Sequence, residues 1–359
     1  MAPAPTDAVA ARVQQAVDDW RAAHHVTGVS VAVRAAGEPI AQVASGVRLV
    51  REGVAPEQLS VDDTFQAASI TKLIAAGLTL QQVEEGRVSL AEHLDGWRPD
   101  IAQANRITVG NLLDHRSGID GYITHEFREA LYTAPGTPWS HERAVQHGLT
   151  QPRAGAPGER HSYSNTNYLL VQELLEQRTG MTFDALLRAK LADPLGIAGD
   201  AAYMTTLDGP RTATAVGHGQ LFGRAHDAEH LYVPGGLLRS VVGADGGMIT
   251  TAPALARMGE AILWKGGAAL GAEAHAAITG SADTTPGGYG LGAYRGQLGL
   301  ADGRDLTVYG HNGGIDGYAS LLLHAPQGEL TIALLANDSS ASGNLEELAA
   351  RVLEAAAPR

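Results

Sequence analysis

Three short segments carry the side chains that could do chemistry. The first is Ser69-Ile70-Thr71-Lys72. On a helix, positions i and i+3 share a face, so the hydroxyl and the amine can meet. A lysine drawn into an apolar site loses its proton more easily, and a serine beside such an amine is activated as a nucleophile. At a helix start, Ser69 would also sit where free N–H groups and the dipole favour negative charge. The same four residues also fit an ordinary helix face. The second segment is Tyr163-Ser164-Asn165. A phenol near an ammonium can shuttle a proton, and an asparagine amide can hold an acyl carbonyl. Serine and asparagine also favour plain turns. The third is His311-Asn312-Gly313-Gly314, where glycines let a substrate approach the backbone and leave N–H groups to polarise a carbonyl. Alone, each segment is weak evidence.

The elements that must position these residues follow from hydrophobic periodicity. Thr6–His25 reads as an amphipathic helix with Val9, Val13, Val17 and Trp20 on one face. Gly28–Ala35 and Pro39–Val47 read as a hairpin. A helix runs from about Ser69 to Glu85, with Gly86 as its C-terminal cap. Val109–His115, Asn165–Arg178 and Thr251–Trp264 are further helices. Near the C-terminus, Leu306–Tyr309, Tyr318–His324 and Leu330–Ala336 are three short strands, and Leu345–Ala356 is a last helix. The expected fold class is α+β. One antiparallel sheet is built from both chain ends with flanking helices, and a mostly helical segment is inserted. Residues 1–66 and 240–359 make the sheet-bearing half and 67–239 the helical half, with a ligand cleft at their junction.

In order and combination, the three segments resemble the motif set of serine β-lactamases and penicillin-binding proteins. The Tyr-x-Asn form points to the class C β-lactamase, D-alanyl-D-alanine carboxypeptidase and esterase branch. The resemblance covers nearly the whole chain. It includes Leu113-Asp114-His115-Arg116-Ser117-Gly118, similar to a His-x-Ser-Gly segment, then Gly246-Gly247-Met248 with Thr250, then Tyr289-Gly290-Leu291-Gly292, and Asn337. It implies that Ser69 is the acylated nucleophile and that Lys72 helps deprotonate it. Tyr163 becomes the general base and acid, and Asn165 contacts the substrate carbonyl. His311 stands where the family has a lysine, and the backbone N–H groups of Ser69 and Gly314 form the oxyanion hole. Asn312 and Gly313 are expected at the substrate. Arg295 is a candidate carboxylate anchor, or else a surface arginine. Trp139 is a candidate substrate contact, or else a core residue.

Histidine at 311 points towards D-peptidases and esterases rather than efficient β-lactamases. The expected function is a serine hydrolase that forms an acyl-enzyme on an ester or a D-residue amide. The alternatives are a transacylase that releases the acyl group to an amine, a β-lactamase, and a β-lactam-binding sensor without turnover. His218, His226 and His230 cluster with Asp227 and Glu229 in a polar loop, but no metal or other cofactor is expected. Gly-x-Ser-x-Gly, His-Glu-x-x-His, a P-loop and Gly-x-Gly-x-x-Gly are all absent.

Composition narrows the field further. The 359 residues contain no cysteine and carry a net charge of −13. That rules out disulfides, Cys-ligated metals and a thiol nucleophile, and disfavours nucleic acid as a partner. No apolar run reaches the roughly 18 residues of a spanning helix, so no membrane partner is expected. The partner is a small-molecule ester, amide or peptide, and the oligomeric state is open. The first residues lack a basic region and an apolar stretch, so no signal peptide is read. The chain as written is expected in the cytoplasm, or outside the cell if its start has been trimmed.

Overall fold

Valines at 29, 31 and 33 alternate with Ser30, Ala32 and Arg34, so one strand can be buried on both faces only if helices cover each side. The computed structural model describes residues 5–51, 53–203, 213–221, 224–227, 231, 236–284 and 288–357. In it, helix α1 (Pro5–His24) precedes strands β1 (Gly28–Ala35) and β2 (Glu38–Gly46). Strand β3 (Phe65–Gln66) leads into helix α2 (Ile70–Glu84). The middle of the chain carries α3 (Val109–Leu113), α4 (His125–Thr133), α5 (His141–Leu149), α6 (Asn165–Thr179) and α7 (Phe183–Leu187). Strands β4 (Ala201–Tyr203), β5 (His218–Leu221) and β6 (Arg224–Asp227) follow, then α8 (Leu237–Val241) and β7 (Met248–Thr250). Helices α9 (Ala252–Leu263) and α10 (Ala272–Thr284) lead to β8 (Tyr294–Gly299) and β9 (Asp305–Ile315). Strands β10 (Tyr318–Ala325) and β11 (Leu330–Ala336) precede the last helix, α11 (Leu345–Ala356).

The main sheet runs β2-β1-β11-β10-β9-β8 and is antiparallel throughout. Both chain ends therefore build it, as expected, because β11 pairs directly with β1. Val29, Val31, Val33, Leu321 and Leu334 face Val13, Val17 and Trp20 of α1 and Leu348 and Val352 of α11. The opposite face, with Ala32, Leu322 and Ala333, packs on α9 and α2 and merges with the helical core. Across that face Arg34 of β1 donates from Nε to Glu260 of α9 at 2.6 Å, with both side chains largely buried.

Two expectations change. The strand expected at Leu306–Tyr309 extends to Ile315, so His311 to Gly314 lie inside β9 rather than after it. Glycine reads as a turn signal, but here it answers close packing. A Cβ on Gly313 would sit 2.3 Å from Ser320 Oγ of β10 and 2.6 Å from the carbonyl of Ala67. The loop expected around His218 is, where described, the hairpin of β5 and β6; Glu229 and His230 lie outside the described residues. Among the described residues, no cluster is suited to a metal ion, and no helix is long and apolar enough to cross a membrane.

Candidate active site

Ser69 sits at a pinned elbow. Strand β3 pairs with β7, and Ala67 N–H donates to Met248 O at 2.8 Å. Ala68 then adopts a left-handed backbone, φ 48°, a conformation that costs a non-glycine residue about 1–3 kcal/mol and persists only where its surroundings hold it. Thr71 Oγ1 donates to Ala68 O at 2.6 Å and Ser320 Oγ to Ala67 O at 2.8 Å. Ser69 follows as the N-cap of α2, yet its side chain makes no cap hydrogen bond. A serine there would ordinarily accept from the helix N–H groups; this one is left for other partners.

Lys72, one turn on, is fully buried. Its Nζ donates to Ser69 Oγ at 3.2 Å, to Asn165 Oδ1 at 2.7 Å and to the backbone carbonyl of Asp245. All three acceptors are uncharged groups. With one proton fewer, Nζ can accept from Ser69 instead, so the same contact serves proton removal. Nζ also lies 4.9 Å from the centre of the Tyr163 ring. Tyr163 is 41 % exposed, and its ring packs 4.3 Å from that of His115. Buried His115 has φ 60° and accepts the Ser164 N–H on Nδ1 at 3.1 Å. Burial, then the Lys72 charge, holds its pKa well below the usual 6.5.

Ser69, Lys72, Tyr163 and Asn165 are thus brought together. Gly314 joins Ser69 and Tyr163 along a cleft. Asn312 and Gly313 line one side of that cleft. The other three residues behave differently. His311 is 2 % exposed and does not line the cleft. The Asn312 carbonyl can only accept, so His311 Nδ1 carries the proton and Nε2 accepts from Tyr289 Oη at 3.0 Å. Burial and then the Lys72 charge push its pKa down to about 3. The imidazole is neutral and cannot replace the charge of a lysine. Arg295 lies exposed on edge strand β8 and is not among the described cleft-lining residues. Trp139 stands one layer behind the cleft, 3 % exposed, its ring 5.3 Å from that of Phe127, which does line it.

Sequence reasoning gave no role to three neighbours. Asp245 serves Lys72 through its backbone, while its carboxylate accepts from Tyr122 Oη at 2.8 Å and Gly243 N–H at 2.9 Å. Nothing in residue type signals a carbonyl contact, although Gly246-Gly247 beside it belonged to the resemblance. His115 and Tyr289 also lay in resembling segments.

A protein-family model described as Beta-lactamase matches residues 9–357. Penicillin-binding protein 4 of Amycolatopsis lactamdurans is 30% identical over 355 residues, covering 93% of this chain and 87% of its own length. D-aminopeptidase of Gluconobacter oxydans is 25% identical over 377 residues, covering 98% of this chain and 63% of its own. The solved structure of a D-stereospecific amidohydrolase from Streptomyces sp. superposes with a TM-score of 0.75 at 25% identity, covering 96% of this chain and 98% of that one. The chain belongs to the beta-lactamase family, as a serine hydrolase or acyltransferase.

Proposed function

We propose that the chain hydrolyses an ester or a D-residue amide through an acyl-enzyme on Ser69. The observation that carries this reading is the buried Lys72 amine, 3.2 Å from an uncapped Ser69 hydroxyl at the floor of a cleft of about 500 Å³. Ser69 Oγ attacks the substrate carbonyl and its proton passes to the Lys72 and Tyr163 pair. The N–H groups of Ser69 and Gly314 stabilise the oxyanion. Tyr163 hands the proton to the departing nitrogen or oxygen. Water then attacks the ester on Ser69 with Tyr163 as base, and Ser69 is regenerated. The names of the two D-specific relatives support the substrate class, and so does the neutral His311, which gives a β-lactam carboxylate no cation.

The test is intact-mass spectrometry after exposure to p-nitrophenyl acetate, followed by turnover of D-amino-acid amides. Ser69→Ala abolishes the acetyl adduct while the fold persists. Tyr163→Phe slows turnover by at least about 100-fold, the lower range for loss of a general acid or base. A stable adduct on Ser69→Ala, or parent-like turnover by Tyr163→Phe, overturns the assignment.

A further inference from the structure

Two cavities meet at Ser69, Tyr163, Gly314 and Ser342. The larger, about 500 Å³, is walled mainly by Ile123, Phe127, Leu131, Leu238 and Val242, includes Asn165, and also has Arg128, Asp245 and Asp316 in its lining. The smaller, about 460 Å³, is lined by Asn312, Gly313, Ser320, Ser342 and Glu346, and Asn165 takes no part in it. Acyl transfer needs two such spaces, one for the acyl portion and one for the group that leaves. Lys72 occupies Asn165 Oδ1, so the amide offers a ligand its N–H donors, and it offers them in the larger cavity. Apolar walls and a donor suit an acyl group with its carbonyl. The smaller cavity then receives the departing group.

The charge of that second cavity is one-sided. Besides Tyr163, Glu346 is the one ionisable side chain among the described residues that line it. Glu346 lies in the first turn of α11 and is exposed. It makes no ion pair or hydrogen bond with another described residue. The helix dipole accounts for an acid at this position, but not for the lack of any facing cation. No cation among the described residues lines this second cavity, and Arg128 lines the larger one instead. Lys72 is buried under its three acceptors, His311 is neutral beneath the floor, and Arg295 lines neither cavity.

Resting on the acyl-enzyme reading above, we propose that Glu346 makes the smaller cavity a leaving-group subsite that excludes a free carboxylate and accepts an uncharged or cationic group. The preferred substrates are then primary amides, amides of amines without a carboxylate, and esters of uncharged alcohols, rather than peptides with a free C-terminal residue as the departing group. In the acylation step the carbonyl C–N or C–O bond breaks as the bond to Ser69 Oγ forms. The departing atom takes the proton that Ser69 lost. A departing amine that gains a second proton from water becomes an ammonium, which Glu346 attracts.

The experiment compares two acetate esters that differ only in the charge on the departing phenol, 4-acetoxybenzamide and 4-acetoxybenzoate. Like charges about 6 Å apart across a partly solvated cleft are worth about tenfold in a rate ratio. The parent therefore favours the benzamide in kcat/KM by at least about tenfold. Glu346→Gln narrows the ratio and Glu346→Lys brings it to unity or reverses it. Circular dichroism establishes that both variants are folded, and Gln, which keeps the side-chain shape, serves if Lys disturbs the helix start. Equal rates for the two esters in the parent, including no rate with either, overturn the proposal, and so does a ratio unmoved in Glu346→Lys. Ser69→Ala with p-nitrophenyl acetate separates the two levels. Parent-like hydrolysis by that variant sinks the acyl-enzyme reading itself, whereas a dead variant beside a flat ratio sinks the subsite alone.

Discussion

Replacing Lys72 with methionine separates chemistry from folding, because the two effects differ greatly in size. The ammonium donates three hydrogen bonds, to Ser69 Oγ, Asn165 Oδ1 and Asp245 O. Hydrogen bonds to a charged group contribute about 1.5–3 kcal/mol each, so together they offset roughly 5–9 kcal/mol. Against that stands the cost of holding an ammonium in the interior, several kcal/mol even after relaxation. No carboxylate among its hydrogen-bond partners is orphaned when the charge goes. Methionine fills the volume of the lysine stem at little packing cost. Stability should therefore fall by less than about 3 kcal/mol, out of a typical 5–15 kcal/mol. Acylation of Ser69 should fall by at least about 1,000-fold, within the range for losing a positioned proton acceptor. Urea unfolding reads the first quantity, and the time course of acetyl adduct formation reads the second. A third readout follows from the field of Lys72, which helps hold His115 and His311 below their ordinary range. In Lys72→Met both imidazoles should titrate closer to pH 6.5 by NMR. Acylation within tenfold of the parent, or an unfolded variant, refutes the reasoning.

Acid should destabilise the fold below about pH 6.5. His311 and His324 are buried with pKa values pushed down by burial to about 3 and about 4, so between those values and 6.5 the unfolded chain binds more protons and stability is lost as pH falls. At pH 5 each contributes a loss of about 2 kcal/mol, part of which Asp114 offsets, since burial raises its pKa to about 6; urea midpoints that are flat from pH 7 to 5 contradict this. Glu260→Ala leaves Arg34 buried without its carboxylate and withdraws the acceptor of Gly37 N–H at 3.0 Å, and should cost about 3–5 kcal/mol in urea unfolding; a loss under 1 kcal/mol rejects it. His115→Ala removes the acceptor of Ser164 N–H and the ring against Tyr163 and should lower kcat by about 100-fold, with KM changing less. His115→Asn, which tolerates the left-handed backbone, should recover stability more than kcat; an unchanged kcat in His115→Ala removes it as a positioning residue.

Much of the sheet was legible because side chains decide it. Strand β1, strand β11 and helix α11 fall on the expected residues, since alternation in the strands and periodicity in the helix mark buried faces. Strand β9 was cut short because its glycines read as punctuation. Gly310 is in fact required by strand contact, as its Cβ would lie 1.9 Å from the carbonyl of Leu322. Edge strand β8 was missed for a related reason, with Gly296 and Gly299 and little burial to reveal alternation. In the site, the Ser69, Lys72, Tyr163 and Asn165 cluster was visible as residue types at known spacings. Asp245 was not, because it acts through a carbonyl that every residue possesses. Trp139 was open to two readings because a large aromatic lines a cleft or backs it with equal chemical sense, and only packing separates these.

The substitution of histidine for lysine at 311 has a physical consequence larger than the change of one side chain. A lysine there would put a second positive charge beside Lys72, and each would destabilise the other in an interior of low dielectric. Histidine answers by giving up its charge, because the Lys72 field adds to burial in holding it neutral. The same field acts on His115. Of these three residues, Lys72 spends its donors on Ser69, Asn165 and the Asp245 carbonyl rather than on a ligand. Among the described residues, the one full positive charge left in the cleft lining is Arg128, in the larger cavity, while backbone N–H groups carry partial charges that suit an oxyanion forming transiently at one atom. A permanent carboxylate on the departing side would need a full counter-charge. The described cleft offers Glu346 there instead, and that asymmetry favours amides and esters over carboxypeptidase or β-lactam chemistry.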